Sequence, residues 1–372
     1  MQEYIFIHGK NTELSKHEIQ CVFQDYVVFQ HTSFSLVRTN RVMGQETLNK
    51  LGGCIKIAEV FTEDPLEMIE REAKSKKILF GLSQYGGHEK LSEALTTLKK
   101  SLKESGHNAR FLNKNFANIS SAQIRKSKIL EKSVDLTRCL VEGKWVWGKT
   151  IAVQDIDAYG KRDYEKPFRD MTVGMMPPKL AQMMINFAKP EKETAIYDPF
   201  CGTGTVLMEG ILRGNPVIGS DLKNRLVDGA KKNLHWVLSP SSQGGGRGEV
   251  LFQHDATQPF PKEKFPKDFV IVTEGYLGPP LLHSATPDMQ NQIFQNIHTI
   301  SAPFFKNAAE ILPKGKKLVM CFPYFRSREK NTFYPEGFVK DYEKLGFEIQ
   351  HHFLYERENQ IVGREIIVFQ HQ

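Results

Sequence analysis

The chain has 372 residues, 40% hydrophobic and 25% charged, proportions that are typical of a globular protein of two or three domains. Fifty basic residues against 43 acidic ones give a net charge of +7, which alone is weak evidence for an anionic partner. The five cysteines are far apart without a C-x-x-C pair, which argues against disulfide frameworks and zinc sites. No run approaches the ~18 apolar residues of a membrane span and the amino terminus lacks a secretion pattern, so we expect a cytoplasmic protein without membrane contact.

The first half of the chain alternates strand-like runs with helical patterns. A strand-like run at residues 4–9 precedes a helical pattern at 10–23, in which Ser15 and Glu18 have the spacing of a capping box. Further strand-like runs flank a second predicted helix at 90–106. The pattern predicts small α+β modules in this half.

A basic segment lies at the end of this half. Residues 101–150 contain 10 basic and four acidic residues, whereas residues 1–100 contain 13 of each. Aromatic residues are interleaved with the charges, and basic charge beside stackable rings is typical of nucleic-acid surfaces. The alternative is a solvated helix face over a small core. The predicted RNA-binding residues are Arg110, Lys114, Arg125, Lys126 and Lys128.

The second half has a different pattern. Residues 157–172 show no period and predict a linker, whereas strands and helices alternate throughout 173–372. This alternation predicts a doubly wound α/β domain with a mostly parallel, seven-stranded sheet, closed by two neighbouring antiparallel strands. The glycine- and serine-rich run at 239–249 lies between a helix and a strand, so we expect it to be a flexible loop inside this domain.

Four predicted strand ends of this domain carry distinctive residues. Ligands of doubly wound sheets bind at the carboxyl ends of the strands. The first strand ends at Asp198 and runs into a glycine-containing turn, where the backbone can approach a ligand at a helix N-terminus. The second ends in Asp221, 23 residues later, from which a carboxylate can bind two ribose hydroxyls. The third ends in Asp255, which can accept from an adenine amino group, and the fourth in Glu274.

A ligand with an amino acid, a ribose and an adenine suits this row of acids, and S-adenosylmethionine is such a ligand. NAD is the competing interpretation, but the third glycine of its fingerprint is missing and Asp198 would repel a pyrophosphate. The alternative structural role for Asp198 is a cap on the following helix. No metal site is predicted. The predicted cofactor-binding residues are Asp198, Phe200, Gly202, Gly204, Thr205, Asp221, Asp255 and Ala256.

The motif DPFCGTGTVLMEG at 198–210 resembles the cofactor motif of Rossmann-like RNA methyltransferases that carry a THUMP domain. The preceding segment at 162–188 and the segments HGKNTELSKHEIQ, LGGCIKIAEV, FGLSQYG and LYERENQIVGREIIVF are similar to the tRNA guanosine-10 N2-methyltransferase group. The resemblance implies a ferredoxin-like domain at 1–57, a THUMP-like RNA-binding domain at 58–156 and a class I methyltransferase domain at 173–372. It implies tRNA as the partner, and it leaves open a small activator protein and the oligomeric state.

The sequence departs from this family at the fourth strand. Family members that methylate an exocyclic amine usually have Asp-Pro-Pro-Tyr there, and this chain has VTEGYLGPP at 272–280. One alignment puts Glu274 in the place of the acid, and a shift by one residue puts Tyr276 in the place of the aromatic and Thr273 in the place of the acid. We predict Glu274 and Tyr276 as the catalytic residues. The alternatives are a DNA or other nucleic-acid amino-methyltransferase on the same fold, an RNA-binding protein whose catalytic motif has drifted, and a purely structural turn.

Overall fold

The computed structural model describes residues 1–73, 77–170, 175–238, 249–281, 283–327, 331–357 and 360–372. The chain divides into two compact units, Met1–Ala158 and Tyr159–Gln372. Within the described ranges, no helix is long and apolar enough to cross a membrane. Most of the loop predicted at 239–249 and the predicted domain start at Val173 lie outside the described residues.

The first unit is built on an eight-stranded sheet. Its strands are β1 Gln2–His8, β2 Val27–Gln30, β3 Phe34–Thr39, β4 Cys54–Phe61, β5 Lys77–Tyr85, β6 Asn108–Phe111, β7 Val134–Val141 and β8 Lys144–Val153. Their order is β2-β3-β1-β4-β8-β7-β5-β6. Strand β5 pairs in parallel with β6 and β7, and the remaining pairs are antiparallel. The helices are α1 Thr12–Phe23, α2 Gln45–Leu48, α3 Pro65–Glu72, α4 Leu91–Glu104, α5 Ser121–Ser127 and α6 Ile129–Lys132.

Two local features of this unit differ from the sequence-based picture. Helix α1 begins at Thr12 with Asn11 as the N-cap residue, so the predicted capping box at Ser15 and Glu18 is wrong. The Glu18 carboxylate instead accepts hydrogen bonds from the amides of Gly52 and Gly53, at 2.8 Å each. The sheet also continues past residue 57, because β4 pairs with β1 on one side and with β8 on the other. The division at 57 stays a prediction.

The second unit contains a seven-stranded sheet, as predicted. Its strands are β9 Ala195–Asp198, β10 Val217–Asp221, β11 Glu249–Gln253, β12 Phe269–Glu274, β13 Lys317–Phe325, β14 Phe347–Tyr355 and β15 Val362–His371, in the order β11-β10-β9-β12-β13-β15-β14. The five strands from β11 to β13 are parallel, and β15 is antiparallel to both of its neighbours. The helices are α7 Ile156–Gly160, which contains the limit between the units, α8 Pro178–Ala188, α9 Thr205–Arg213, α10 Asn224–Val237, α11 Pro287–Ile311 and α12 Glu336–Glu343.

Side chains alternate between the two faces of this sheet and thereby place helices on both sides. On β9, Ile196 lies against Gly210 of α9, whereas Tyr197 belongs to the apolar cluster that contains Phe304 and Phe305 of α11. Apolar burial on both faces explains why β9 and β12 read as nearly continuous hydrophobic runs. The fold therefore brings the carboxyl ends of β9 to β12 to one edge of the sheet, as the doubly wound prediction requires.

The segment predicted as a linker at 157–172 contains α7 and a π-helical turn at Lys161–Glu165. Its residues 159–170 belong to the second unit, where the Arg162 guanidinium binds the buried carboxylate of Glu209 at 2.6 Å. The sequence of this segment shows no periodic pattern of apolar residues, because polar contacts hold the segment in place. The exact domain limits remain a prediction.

Candidate functional site

The turn between β9 and α9 forms the centre of the candidate site. Gly202 and Gly204 have φ angles of +51° and +81°, in the left-handed region that favours glycine. A Cβ atom on Gly204 would lie 3.0 Å from the Cβ atom of Ala230 on α10, so this residue also allows close helix packing. Gly204 is the N-cap of α9, and Thr205 is its first residue. The helix N-terminus therefore faces the end of the strand that carries Asp198.

Asp198 lies at the end of β9 and is 3% exposed. Its Oδ1 atom accepts hydrogen bonds from the Thr273 hydroxyl at 2.6 Å and from the Phe200 amide at 3.2 Å. Burial raises the pKa of Asp198 to about 7, although both hydrogen bonds lower it, and the carboxylates of Asp221 and Glu274 raise it further. Asp198 does not cap α9 directly, since the N-cap is Gly204. A buried carboxylate with such a pKa is suited to a cationic ligand group.

Asp221 and Asp255 follow the two strands beyond β9. The Asp221 carboxylate accepts from the amides of Gly202 and Lys223, at 3.0 Å each, so it also fixes the glycine turn. Burial raises the pKa of Asp221, and the two amide hydrogen bonds oppose that rise. Asp255 is more open: its Oδ1 atom accepts from the Thr257 hydroxyl and amide, which lower its pKa. Parallel pairing brings these acids to the same edge, as the sequence predicted.

The remaining cofactor candidates supply apolar surface and backbone near these acids. The ring of Phe200 contacts that of Phe304 edge-on, with centroids 5.3 Å apart. Ala256 is buried, and its carbonyl accepts from the Asn307 side chain. Leu222 was missed from the sequence, although it directly follows Asp221. Its side chain is 60% exposed, which is unusual for a large apolar residue and leaves an open surface for a planar ring.

The predicted catalytic residues lie at and after the end of β12. The Glu274 carboxylate forms an ion pair with Arg364 of β15, with Nε and Oε1 2.5 Å apart. Burial opposes the charge of Arg364, but the Glu274 carboxylate outweighs it, so the pKa of Arg364 is raised. Tyr276 is 41% exposed, as a ring available for stacking would be. The Thr273 hydroxyl is bound to Asp198, so Glu274 is the residue at this strand end that offers a carboxylate.

A lysine that the sequence analysis placed in the linker lies beside the glycine turn. Lys166 is 3% exposed, and its Nζ atom donates to the hydroxyls of Thr203 and Thr205 at 3.1 Å each. Burial lowers the pKa of Lys166 to about 8. No local signal in the sequence marks this residue, because the approach depends on tertiary structure. Among the described residues, no cluster of acidic, histidine or cysteine side chains suits a metal ion.

The candidate RNA-binding residues belong to the first unit. Arg110, Lys114, Lys126 and Lys128 are exposed, whereas Arg125 forms ion pairs with Asp155 and Asp157 at 3.0 and 3.6 Å. Arg125 therefore carries little net charge toward a ligand.

An open cleft of about 720 Å³ lies in the same unit. Its lining includes the basic residues Lys77, Arg110 and Lys132 and the ring of Phe111. The ammonium of Lys99 lies 5.6 Å from the centroid of the Phe111 ring. Basic groups around an aromatic ring are suited to a single-stranded nucleic acid.

Comparisons with known proteins show what this chain is similar to. The model of the family described as UPF0020, the RMKL-like methyltransferase domain, matches residues 168–242. The tRNA (guanine(10)-N2)-dimethyltransferase of Methanothermobacter thermautotrophicus is 36% identical over 107 residues, 28% of this chain and 31% of that protein. The enzyme of the same name from Pyrococcus abyssi is 38% identical over 91 residues, 24% of each chain. The tRNA (guanine(10)-N(2))-methyltransferase of Saccharomyces cerevisiae is 33% identical over 84 residues, 22% of this chain and 19% of that protein.

The matched segments thus cover less than a third of the length of these curated relatives. The crystal structure of TrmN from Thermus thermophilus aligns over 100% of both chains with a TM-score of 0.53 and 14% identity, a likeness that concerns the fold alone. The predicted Rossmann-like methyltransferase fold is confirmed. Residues 168–242 therefore match an RMKL-like methyltransferase domain, and part of the chain is similar to tRNA (guanine(10)-N2)-methyltransferases.

Proposed function

We propose that this protein is an S-adenosylmethionine-dependent tRNA methyltransferase that forms N2-methylguanosine at position 10 of tRNA. The observation that carries the proposal is the row of acidic residues at adjacent ends of parallel strands, with Glu274 at the fourth end. The names of the curated relatives support tRNA guanine as the substrate.

The residues at the first three strand ends fit the cofactor. Asp198 is a buried carboxylate for the cationic amino group, and Asp221 is a half-buried acid for the ribose hydroxyls. The partly exposed acid Asp255 suits the adenine amino group, while Leu222 and Phe200 offer apolar surface for the ring. When bound, this cofactor supplies a methyl group on a positively charged sulfur.

The protein contributes placement of the nucleophile. The guanine amine becomes nucleophilic when a carboxylate accepts one of its hydrogens and the ring is held in place. Glu274 supplies that acceptor, and the ion pair with Arg364 keeps its carboxylate in one position. The exposed ring of Tyr276 stacks on the base. Transfer of the methyl group would leave positive charge on the guanine nitrogen, and the Glu274 carboxylate would stabilise that charge and accept the proton that the nitrogen releases.

The first unit binds the tRNA in this proposal. Its exposed basic residues neutralise phosphates, and the cleft beside Phe111 accommodates unpaired bases. Both contacts are independent of the nucleotide sequence of the tRNA. The choice of the methylated nucleoside therefore depends on the second unit.

Mass spectrometry of nucleosides from the tRNA of a deletion strain tests the proposal. We expect N2-methylguanosine at position 10 to disappear, to return with the wild-type gene and to stay absent with Asp198→Asn. Persistence of the modification in the deletion strain would refute the assignment. Complementation by Asp198→Asn would instead support a role in RNA binding without catalysis.

A further inference from the structure

The second unit buries a positive charge that the proposed catalytic scheme does not use. The Nζ atom of Lys166 contacts two neutral hydroxyl groups, those of Thr203 and Thr205, which are themselves buried. Among the described residues, no carboxylate lies within ion-pair distance of this ammonium group. A buried cation is costly unless an anion pairs with it, so this arrangement is suited to an anionic group of a ligand.

The charges around Lys166 leave its ammonium group uncompensated. Asp163 and Glu209 favour its charged form and Arg169 disfavours it, but burial is the largest influence. The Glu209 carboxylate is already bound by Arg162 at 2.6 Å and by the Gln182 amide at 2.8 Å. Its negative charge is therefore largely used by Arg162, and burial lowers the pKa of Lys166 to about 8.

The position of Lys166 relative to Asp198 is informative. The glycine turn begins after Asp198, and Thr203 and Thr205 lie at its other end, where α9 starts. A buried carboxylate and a buried ammonium thus flank the two ends of one turn. An α-amino acid group carries one positive and one negative charge, so it is complementary to this pair of residues.

We propose that Lys166 is a positioning residue for the α-carboxylate of the cofactor: its ammonium group fixes the Thr203 and Thr205 hydroxyls and supplies the positive charge that the carboxylate meets at the turn. The inference rests on the proposed function, because it names the part of that cofactor which the turn holds. It extends the site by a residue from the segment before α8.

Isothermal titration calorimetry of the full chain with two probes tests the inference. S-adenosylhomocysteine carries the amino acid group, and methylthioadenosine lacks it but keeps the ribose and the adenine. We expect Lys166→Met to weaken binding of S-adenosylhomocysteine by about 10- to 100-fold, the range of a charge-assisted hydrogen bond, and to leave methylthioadenosine affinity unchanged. Lys166→Gln keeps donors for the two hydroxyls without the charge and should resemble Lys166→Met.

Lys179→Met is the matched control, because Lys179 is a partly buried lysine of the same unit that lies over the ring of Tyr159 at 5.2 Å. It should leave both affinities unchanged. Thermal unfolding shows whether each variant folds. If Lys166→Met does not fold, Lys166→Gln carries the test.

Unchanged S-adenosylhomocysteine affinity in both Lys166 variants would overturn the inference. Equal losses for the two probes would also overturn it, since they would indicate a purely structural role. Failure of the wild-type protein to bind either probe would contradict the proposed function itself, and the inference would fall with it.

Discussion

We predict that the buried carboxylate of Asp198 makes cofactor binding depend on pH. Its pKa is raised from 3.8 to about 7, so folding disfavours the ionised form. A group with a raised folded-state pKa stabilises the protein at low pH, and that contribution is lost as the pH rises from 3.8 to about 7. The shift of about three pKa units corresponds to at most about 4 kcal/mol at pH 8. We therefore expect the ligand-free Asp198→Asn variant to be about 1 to 4 kcal/mol more stable than wild type at pH 8.

The affinity for the ligand should rise with pH, whereas the stability of the ligand-free protein falls. In the proposed site the ionised form of Asp198 meets the cationic amino group, so S-adenosylhomocysteine affinity should fall about 20-fold between pH 7.5 and pH 5.5. Asp198→Asn should bind weakly at both pH values and show no such change. Calorimetry at the two pH values and urea unfolding at pH 8 measure these effects. Equal wild-type affinities at both pH values, or a less stable Asp198→Asn protein at pH 8, would refute the reasoning.

Glu274→Gln should lower the methylation rate about 100-fold or more, because the carboxylate acts as charge develops on nitrogen. The affinities for tRNA and S-adenosylhomocysteine should stay near wild type. A wild-type rate would show that the acceptor lies elsewhere. Asp221→Ala should weaken S-adenosylhomocysteine binding about 10- to 100-fold, since both the ribose contact and the anchor of the Gly202 amide are lost, and unchanged affinity in calorimetry would contradict the assignment. A double variant with Lys114→Glu and Lys126→Glu should bind tRNA more weakly and with a shallower salt dependence in a filter-binding assay, whereas the same charge reversal at the exposed Lys192 should have no effect.

The fold of the second unit was predictable because its physical causes are local. Alternating strands and helices predict a parallel doubly wound sheet, and such a sheet must bring Asp198, Asp221, Asp255 and Glu274 to one edge. The two glycines of the turn were predictable for the same reason, since their conformations require this residue type.

Contacts between distant residues were not predictable. Arg364 pairs with Glu274 across 90 positions of sequence, and neither residue marks the other in a periodic pattern. Lys166 lies in an aperiodic segment that suggested a linker, because polar contacts hold that segment in place. Glu18 has the spacing of a capping residue, yet it binds the amides of Gly52 and Gly53. In each case tertiary structure supplies a partner that a local pattern cannot show.

The most direct test of the proposed function is methyl transfer in vitro to an unmodified tRNA transcript, followed by nuclease digestion and mass spectrometry. With isotopically labelled S-adenosylmethionine, we expect the label in N2-methylguanosine from position 10 and its loss when that guanine is replaced by adenine. Label in another nucleoside, or equal labelling of the substituted transcript, would contradict the proposed function.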